Sequence, residues 1–353
     1  MNEFSSGENG KSVLGGLVGR FSAGIQRRFR KPAAESLQSD SDVVTVRLKK
    51  SDVPWHGILT AYASIPGTRP TQQDALFVDN DAVFAKGQAA AVLGVLCDGM
   101  GGMEDGERAS AMAVKSLRAE FRRACEEPGA FADPGTEVHK FLDGAIRKLN
   151  REIFDMGCGS GGTGSEGRER PEQAGRRSAD AADGMTAASA AHAASAAGRA
   201  GTTLVASIIV NDRAYWASVG DSRIYIYRRG TLARLTRDHN YALVLREMVN
   251  KGELAEADAE NDPAKNALIS FIGMENVAIV DICEEPLSLE NGDIMLLCSD
   301  GLVKALTDEA IAETMSRYFG NLNEMARRLP LAALEAKTRS LDNTSVVLLQ
   351  YME

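Results

Sequence analysis

Residues 89–102 read AAAVLGVLCDGMGG and join an apolar run to an aspartate and a glycine-rich turn. The run covers residues 89–97, which suits a short strand buried on both faces and is about half of the ~18 residues that a membrane-spanning helix needs. Asp98 follows at once, and Gly99 lets backbone and water come close to that carboxylate. The stretch therefore predicts a core strand that brings an acidic side chain to the rim of a sheet.

Four more aspartates lie beside predicted strands. Asp300 follows DIMLLCS and Asp221 follows RAYWASVG, whereas Asp74 precedes ALFV and Asp342 precedes NTSVVLLQY. A single aspartate is common in turns, because its side chain bonds nearby backbone amides. If these strands share one core, however, their ends converge, and crowded carboxylates repel one another unless cations are bound. Oxygen-only ligands favour hard ions, so the pattern predicts a Mg²⁺ or Mn²⁺ site.

Arg69 lies five residues before Asp74, in GTRPTQQDA. Its planar guanidinium group suits phosphate oxygens. The sequence has four histidines and no H-E-x-x-H, so a histidine zinc site is not expected. It also has no P-loop and no kinase glycine-rich loop. A carboxylate metal site beside an arginine therefore favours phosphoester hydrolysis over nucleotide transfer.

The apolar pattern predicts an α+β fold with antiparallel sheet covered by helices, because strands cluster in hairpin runs and helices are grouped between and after them. Strands are expected at 58–64, 75–78, 90–97, 203–210, 214–219, 223–227, 277–282, 294–298 and 344–350, and helices at 107–125, 136–156, 241–251, 308–319 and 322–337.

Composition excludes some classes of function. The net charge of −9 and the isoelectric point of about 5.2 provide no basic field for nucleic acid. Five cysteines without a C-x-x-C pair suggest neither a disulfide framework nor a zinc knuckle. The first residues carry acids where a secretory signal has basic residues. We therefore expect a cytoplasmic location.

Two segments differ from the rest of the chain. Residues 1–48 are interpreted as a flexible basic tail that precedes a domain over 49–353. Within the tail, 11–31 holds six basic residues and no acid, so a helix on an anionic membrane surface is the alternative, although its glycines disfavour it. Residues 157–200 are rich in alanine, glycine and serine and predict a low-complexity insertion.

The ordered motifs resemble a known family. They are RPTQQDA (69–75), DGMGG (98–102), GTT (201–203), GDSR (220–223), TRDH (236–239), SDGL (299–302) and DNTS (342–345). In this order they resemble the bacterial form of the metal-dependent serine/threonine protein phosphatases of type 2C, the PPM family, over 55–353 apart from the insertion. The resemblance implies a central antiparallel β-sandwich flanked by helices on both sides. It also implies hydrolysis of phosphoserine and phosphothreonine on proteins without a phosphoenzyme intermediate.

The resemblance further implies a set of site residues. Those that would hold two Mg²⁺ or Mn²⁺ ions are Asp74, Asp98, the carbonyl of Gly99, Asp300 and Asp342, with Asp98 bridging the ions. Asp221 would bind a third, weaker ion together with Asp300, and Arg69 would hold the substrate phosphate. Residues 240–273 resemble the family's mobile flap. Two such ions would acidify a bridging water for attack on phosphorus.

The sequence departs from the family at Gln72 and Gln73, where Asn or Met and Glu are often found, and this weakens the expected metal affinity modestly. A non-catalytic sensor or scaffold on the same fold is therefore a second hypothesis. The expected partners are phosphorylated proteins and, by association, an opposing serine/threonine kinase, with weak membrane contact through 11–31 as a further alternative. The oligomeric state stays open.

Overall fold

A computed structural model describes residues 44–45, 49–50, 57–79, 91–101, 103–127, 131, 133–159, 200–337 and 340–353. The basic segment 11–31 lies outside the described residues, and so does the predicted insertion apart from 157–159 and residue 200. Among the helices of the described part, none has the length and the apolar character that a membrane span requires.

The strands of the described part form two antiparallel sheets of seven strands each. They are β1 (Val44–Thr45), β2 (Lys49–Lys50), β3 (Gly57–Ile65), β4 (Asp74–Asp79), β5 (Ala91–Met100), β6 (Gly201–Thr202), β7 (Leu204–Val210), β8 (Arg213–Val219), β9 (Arg223–Arg228), β10 (Thr231–Arg234), β11 (Asp281–Ile282), β12 (Leu287–Ser288), β13 (Ile294–Cys298) and β14 (Thr344–Met352). The first sheet has the order β1-β3-β14-β13-β9-β10, with β2 also on β3. The second has the order β11-β8-β7-β5-β4, with β12 on β8 and β6 on β5.

Helices cover the outer face of each sheet. The helices of the described part are α1 (Met103–Glu126), α2 (Pro134–Gly159), α3 (Tyr241–Asn250), α4 (Glu256–Asn261), α5 (Asp300–Ala305), α6 (Asp308–Arg317) and α7 (Leu322–Ala336). Phe121 of α1 and Ile146 of α2 pack in one buried cluster with Val95 of the second sheet. Met325 of α7 packs in another with Leu296 of the first sheet.

A third apolar cluster fills the space between the two sheets. Leu96 of β5 and Leu349 of β14 belong to it and are buried completely. Because side chains alternate along a strand, Val95 faces the helices while Leu96 faces the other sheet. The four layers are therefore helices, sheet, sheet and helices, which confirms the predicted fold class.

The structure differs from the sequence-based elements in detail. The strand predicted at 277–282 is reduced to β11, because the Ser270 hydroxyl bonds the backbone of Ile279 before the strand begins. The first sheet also starts earlier than residue 49, since Val44 pairs with Ser64. The short elements of the described part that have no counterpart in the prediction are β1, β2, β6, β10, β12, α4 and α5.

Candidate metal centre

The predicted site residues meet at one cleft of about 360 Å³. The predicted site residues that line this cleft are Arg69, Asp98, Gly99, Asp221, Asp300 and Asp342. Asp74 stands beside this group, because its register partner across β4 and β5 is Asp98. Asn266 and Leu268, from the segment predicted as a flap, also line the cleft.

Asp98 lies on β5 itself and not in the turn after it, because the backbone around it stays fully paired. Its amide donates to Thr203 Oγ1 at 3.0 Å, and its carbonyl accepts from the Thr203 amide at 2.8 Å. Its carbonyl also accepts from the Thr202 hydroxyl at 2.9 Å. These contacts fix the direction in which the Asp98 carboxylate leaves the sheet.

Gly99 permits the close approach of β5 to the first turns of α1. Its amide donates to the Gln73 carbonyl at 3.1 Å. A Cβ atom built on Gly99 would lie 2.2 Å from the carbonyl oxygen of Gly106 on α1 and 2.8 Å from the Gln73 carbonyl oxygen. Only glycine can therefore occupy this position without moving β4, β5 or α1 apart.

Gly99→Ala is expected to lower the free energy of unfolding by about 1–3 kcal/mol, because the new methyl group overlaps backbone atoms that cannot rotate away. Urea denaturation measures this loss. Gly144→Ala on α2 is the matched control, because no atom of the described residues lies within 4 Å of its added Cβ. That change should be stabilising by about 0.5–1 kcal/mol through helix propensity. An equal response of the two variants would contradict the assigned close contact.

Asp300 and Asp74 are joined by Ser299, which the sequence analysis does not single out. The Ser299 hydroxyl donates to Asp74 Oδ2 at 2.8 Å and accepts from the Ser345 amide at 2.9 Å. Ser299 thus links the end of β13 to the beginnings of β4 and β14. Its position immediately before Asp300 is the only sequence signal for this role.

The two glutamines that depart from the family pattern are held by hydrogen bonds around the start of β4. Gln72 Nε2 donates to Ser64 Oγ at 2.6 Å, and its Oε1 accepts from the Asp74 amide at 3.0 Å. The backbone amide of Gln73 donates to Asn343 Oδ1 at 2.8 Å. Gln72 therefore fixes the start of β4, and Gln73 connects it to the segment that carries Asp342.

The turn that carries Asp221 is held by a buried histidine. Gly220 has φ +107°, and its amide donates to His239 Nδ1 at 3.1 Å. His239 Nε2 lies 3.2 Å from Asp281 Oδ2, and the ring is completely buried. These contacts give His239 a structural role, since its ring joins the Gly220 amide to the Asp281 carboxylate.

The crowding of carboxylates makes their charged forms costly. Desolvation raises the pKa of Asp74 to about 7, and the charges of Asp300 and Asp342 add to the effect. Desolvation, followed by the charge of Asp300, likewise raises the pKa of Asp221 to about 7. The pKa of Asp98 is raised well above its usual range by desolvation and by its four acidic neighbours. A bound cation would relieve this cost.

Two observations bear on whether these residues suit a hard divalent ion. Asp74 Oδ1 and Asp300 Oδ1 are buried and have no hydrogen-bond partner within the described part of the chain. In that same part, no three Asp, Glu, His or Cys side chains already stand in a metal-holding arrangement. Asp300 Oδ2 pairs with Lys304, and Asp342 Oδ2 accepts from Arg69 at 2.8 Å. The donor chemistry fits the ion, because Oδ1 of Asp74 and Oδ1 of Asp300 can accept it while Lys304 still holds Asp300 Oδ2.

Comparisons with known proteins agree with the fold and the motifs. The family model for protein phosphatase 2C matches residues 69–335. The serine/threonine phosphatase stp of Listeria innocua is 28% identical over 248 residues, which are 70% of this chain and 80% of that protein. The protein phosphatase PhpP of Streptococcus pneumoniae is 30% identical over 43% of this chain and 58% of its own.

Solved structures show the same likeness. The serine/threonine phosphatase of S. agalactiae superposes with a TM-score of 0.60 at 27% identity and covers 84% of this chain and 100% of its own. The catalytic domain of the phosphatase PstP in complex with two manganese ions superposes with a TM-score of 0.52 at 24% identity, over 84% of this chain and 99% of its own. Because the family match spans more than half of the chain, the predicted resemblance is confirmed: this chain belongs to the protein phosphatase 2C family and is a protein serine/threonine phosphatase.

Proposed function

We propose that the cleft hydrolyses phosphoserine and phosphothreonine on proteins with the help of two Mg²⁺ or Mn²⁺ ions. The observation that carries this proposal is the meeting of several carboxylates at one cleft, where Asp74 and Asp300 each have a buried oxygen without a hydrogen-bond partner among the described residues. The ligands we propose are Asp74, Asp98, the Gly99 carbonyl, Asp300 and Asp342, with Asp98 as the bridge and Asp221 reserved for a third, weaker ion. The manganese ions of the related PstP structure support the choice of metal.

Such ions, when bound, acidify a water molecule and offset the charge on the attacking and leaving oxygens. Arg69 exposes 58% of its side chain at the cleft and is free to turn from Asp342 towards the oxygens of a substrate phosphate. Asp98 and Asp74 lie opposite each other on paired strands, so β4 and β5 hold two ligands at a fixed separation. Rigid placement of this kind favours in-line attack on phosphorus.

The described cysteines do not offer a nucleophile in place of water. Burial raises the pKa of the Cys298 thiol to about 12, and it also raises the pKa of Cys97, next to Asp98. Both thiols are therefore protonated near neutral pH and poorly nucleophilic. This supports direct hydrolysis without a phosphoenzyme. The free cysteines also support the proposal of a reducing, cytoplasmic location.

The experiment that tests this function is phosphate release from a phosphothreonine peptide by the full chain. Release should rise with Mn²⁺ concentration, fall to background in excess EDTA and return when Mn²⁺ is restored. Full activity in excess EDTA would contradict the proposal. Absence of Mn²⁺ binding at millimolar concentration in calorimetry, together with no hydrolysis, would favour the non-catalytic scaffold instead.

The wider partners follow from this activity. Phosphorylated proteins are the proposed substrates, and a serine/threonine kinase that phosphorylates them is the proposed opposing enzyme. The proposed membrane contact of 11–31 concerns residues outside the described part of the chain.

A further inference from the structure

Lys304 places a positive charge inside the acidic cleft. It lies on α5 one turn after Asp300, and its ammonium group pairs with Asp300 Oδ2. It lines the cleft that holds Asp98, Asp221 and Asp300. Its charge also acts on Asp221 and Asp342. One ammonium group therefore contacts Asp300 and lies near enough to Asp221 and Asp342 for their charges to interact with it.

This ion pair differs from the ordinary pairs on helix surfaces. In the pair between Glu247 and Lys251 on α3, both side chains are about half exposed, at 48% and 49%. Such exposed pairs contribute little to stability. In the pair with Lys304, the Lys304 side chain is 53% exposed, but the Asp300 side chain is only 12% exposed. Among the described residues, the other oxygen of Asp300 is buried without a hydrogen-bond partner. Lys304 therefore engages a carboxylate within the site.

Asp221 and Asp300 are the two carboxylates to which the family resemblance assigns a third, weaker ion. A divalent ion there and the ammonium group of Lys304 would neutralise the same charges. Two cations cannot share this space without strong repulsion, because both would lie at the same carboxylate oxygen. Binding of a third ion is therefore in competition with the Lys304–Asp300 pair.

We propose that Lys304 is a positioning residue whose ammonium group occupies the cation position at Asp221 and Asp300, so that a third divalent ion binds there only by displacing it. This inference rests on the proposed two-ion site. It assigns Lys304 the role of limiting the number of divalent ions that bind tightly. It also explains how Asp221 and Asp300 are kept close together by the chain itself.

The test is calorimetric titration of Mn²⁺ into the full chain and its variants. Lys304→Gln is expected to add one Mn²⁺ binding event that the original chain does not show over the same concentration range, since the competing charge is removed. Lys304→Arg retains the charge and should keep the original binding profile. Lys337→Gln is the matched control, because Lys337 lines a neighbouring cleft together with Lys304 and Arg69. It removes the same charge near the site and should change no binding event.

A second pair of variants locates the effect at Asp221. In the Lys304→Gln background, Asp221→Asn should abolish the gained binding. In the otherwise unchanged chain, Asp221→Asn should leave the Mn²⁺ stoichiometry as it was, because Lys304 already holds that position. The second measurement does not depend on the folding of Lys304→Gln.

Three results would overturn the inference: identical Mn²⁺ profiles for the original chain and Lys304→Gln, a gain that survives Asp221→Asn, or loss of a binding event on Asp221→Asn alone. Each of them leaves Mn²⁺-dependent hydrolysis by the original chain intact. Failure of the proposed function looks different, since the original chain would then bind no Mn²⁺ and release no phosphate.

Discussion

Asp98→Asn is expected to lower Mn²⁺-dependent phosphate release on the order of 10³-fold, as removal of a central charge from a catalytic site does in other enzymes. Asp98 is the proposed bridge between the two ions, and it lies opposite Asp74 in the register of β4 and β5. An amide retains the shape of the side chain but loses the charge that attracts the ions. Phosphate release from a phosphothreonine peptide at saturating Mn²⁺ measures the change.

The same substitution should leave the fold intact or stabilise it in the presence of EDTA, because it removes a carboxylate that four acidic neighbours disfavour. Asp293→Asn is the matched control. Asp293 directly precedes β13, at the end of the strand far from Asp300. Its side chain is buried and pairs with Arg228. We expect this variant to lose about 1–3 kcal/mol of stability while it retains turnover. If Asp98→Asn kept more than a tenth of the activity, the proposed bridging role would be wrong.

In EDTA, the free energy of unfolding is expected to fall as the pH rises from about 5 to 8. The pKa values of Asp74 and Asp221 are raised from 3.8 to about 7 in the folded chain. At pH values between these two pKa values, the two carboxyl groups stay protonated in the folded state and are ionised in the unfolded state. The free energy of unfolding therefore falls as the pH rises. The stability that Asp74 and Asp221 contribute through these raised pKa values is fully present below about pH 4 and is lost as the pH passes about 7. A decrease of a few kcal/mol follows.

Urea denaturation at pH 5 and pH 8 tests this dependence. The chosen window avoids Glu324, whose pKa is lowered to about 2, chiefly by its hydrogen bond to Arg327. Addition of Mn²⁺ at pH 8 should restore the lost stability, because the ion binds the ionised carboxylates of the folded state. The double variant Asp74→Asn/Asp221→Asn should show a flatter response. Stability in EDTA that rises with pH over this window would contradict the assigned crowding.

The sequence predicts the strands near the site well and the contacts between them poorly. The strand at 294–298 has the bounds that the structure shows, because its run of large apolar residues ends abruptly at Ser299 and Asp300. The convergence of aspartates is predictable too, since buried strands that share a core end at common rims. In contrast, the pairing of Asp74 with Asp98 depends on register, which the apolar pattern alone does not determine.

Lys304 shows why the remainder escapes prediction. Its relation to Asp300 exists only because α5 forms directly at SDGL, and a helix of six residues leaves almost no periodic signal. The contact of Arg69 with Asp342 likewise joins residues that are 273 positions apart. Such a contact follows from the topology of the sheets and not from any local pattern.

The place of β14 has a consequence for how the protein is made. This strand is synthesised after every other strand described, yet it lies between β3 and β13, in the interior of its sheet. Asp342 is translated just ahead of it. A ribosome that stalls within α7 would therefore yield a polypeptide with two exposed strand edges and an incomplete set of carboxylates. Such a truncated product would be prone to aggregate and would not dephosphorylate its targets.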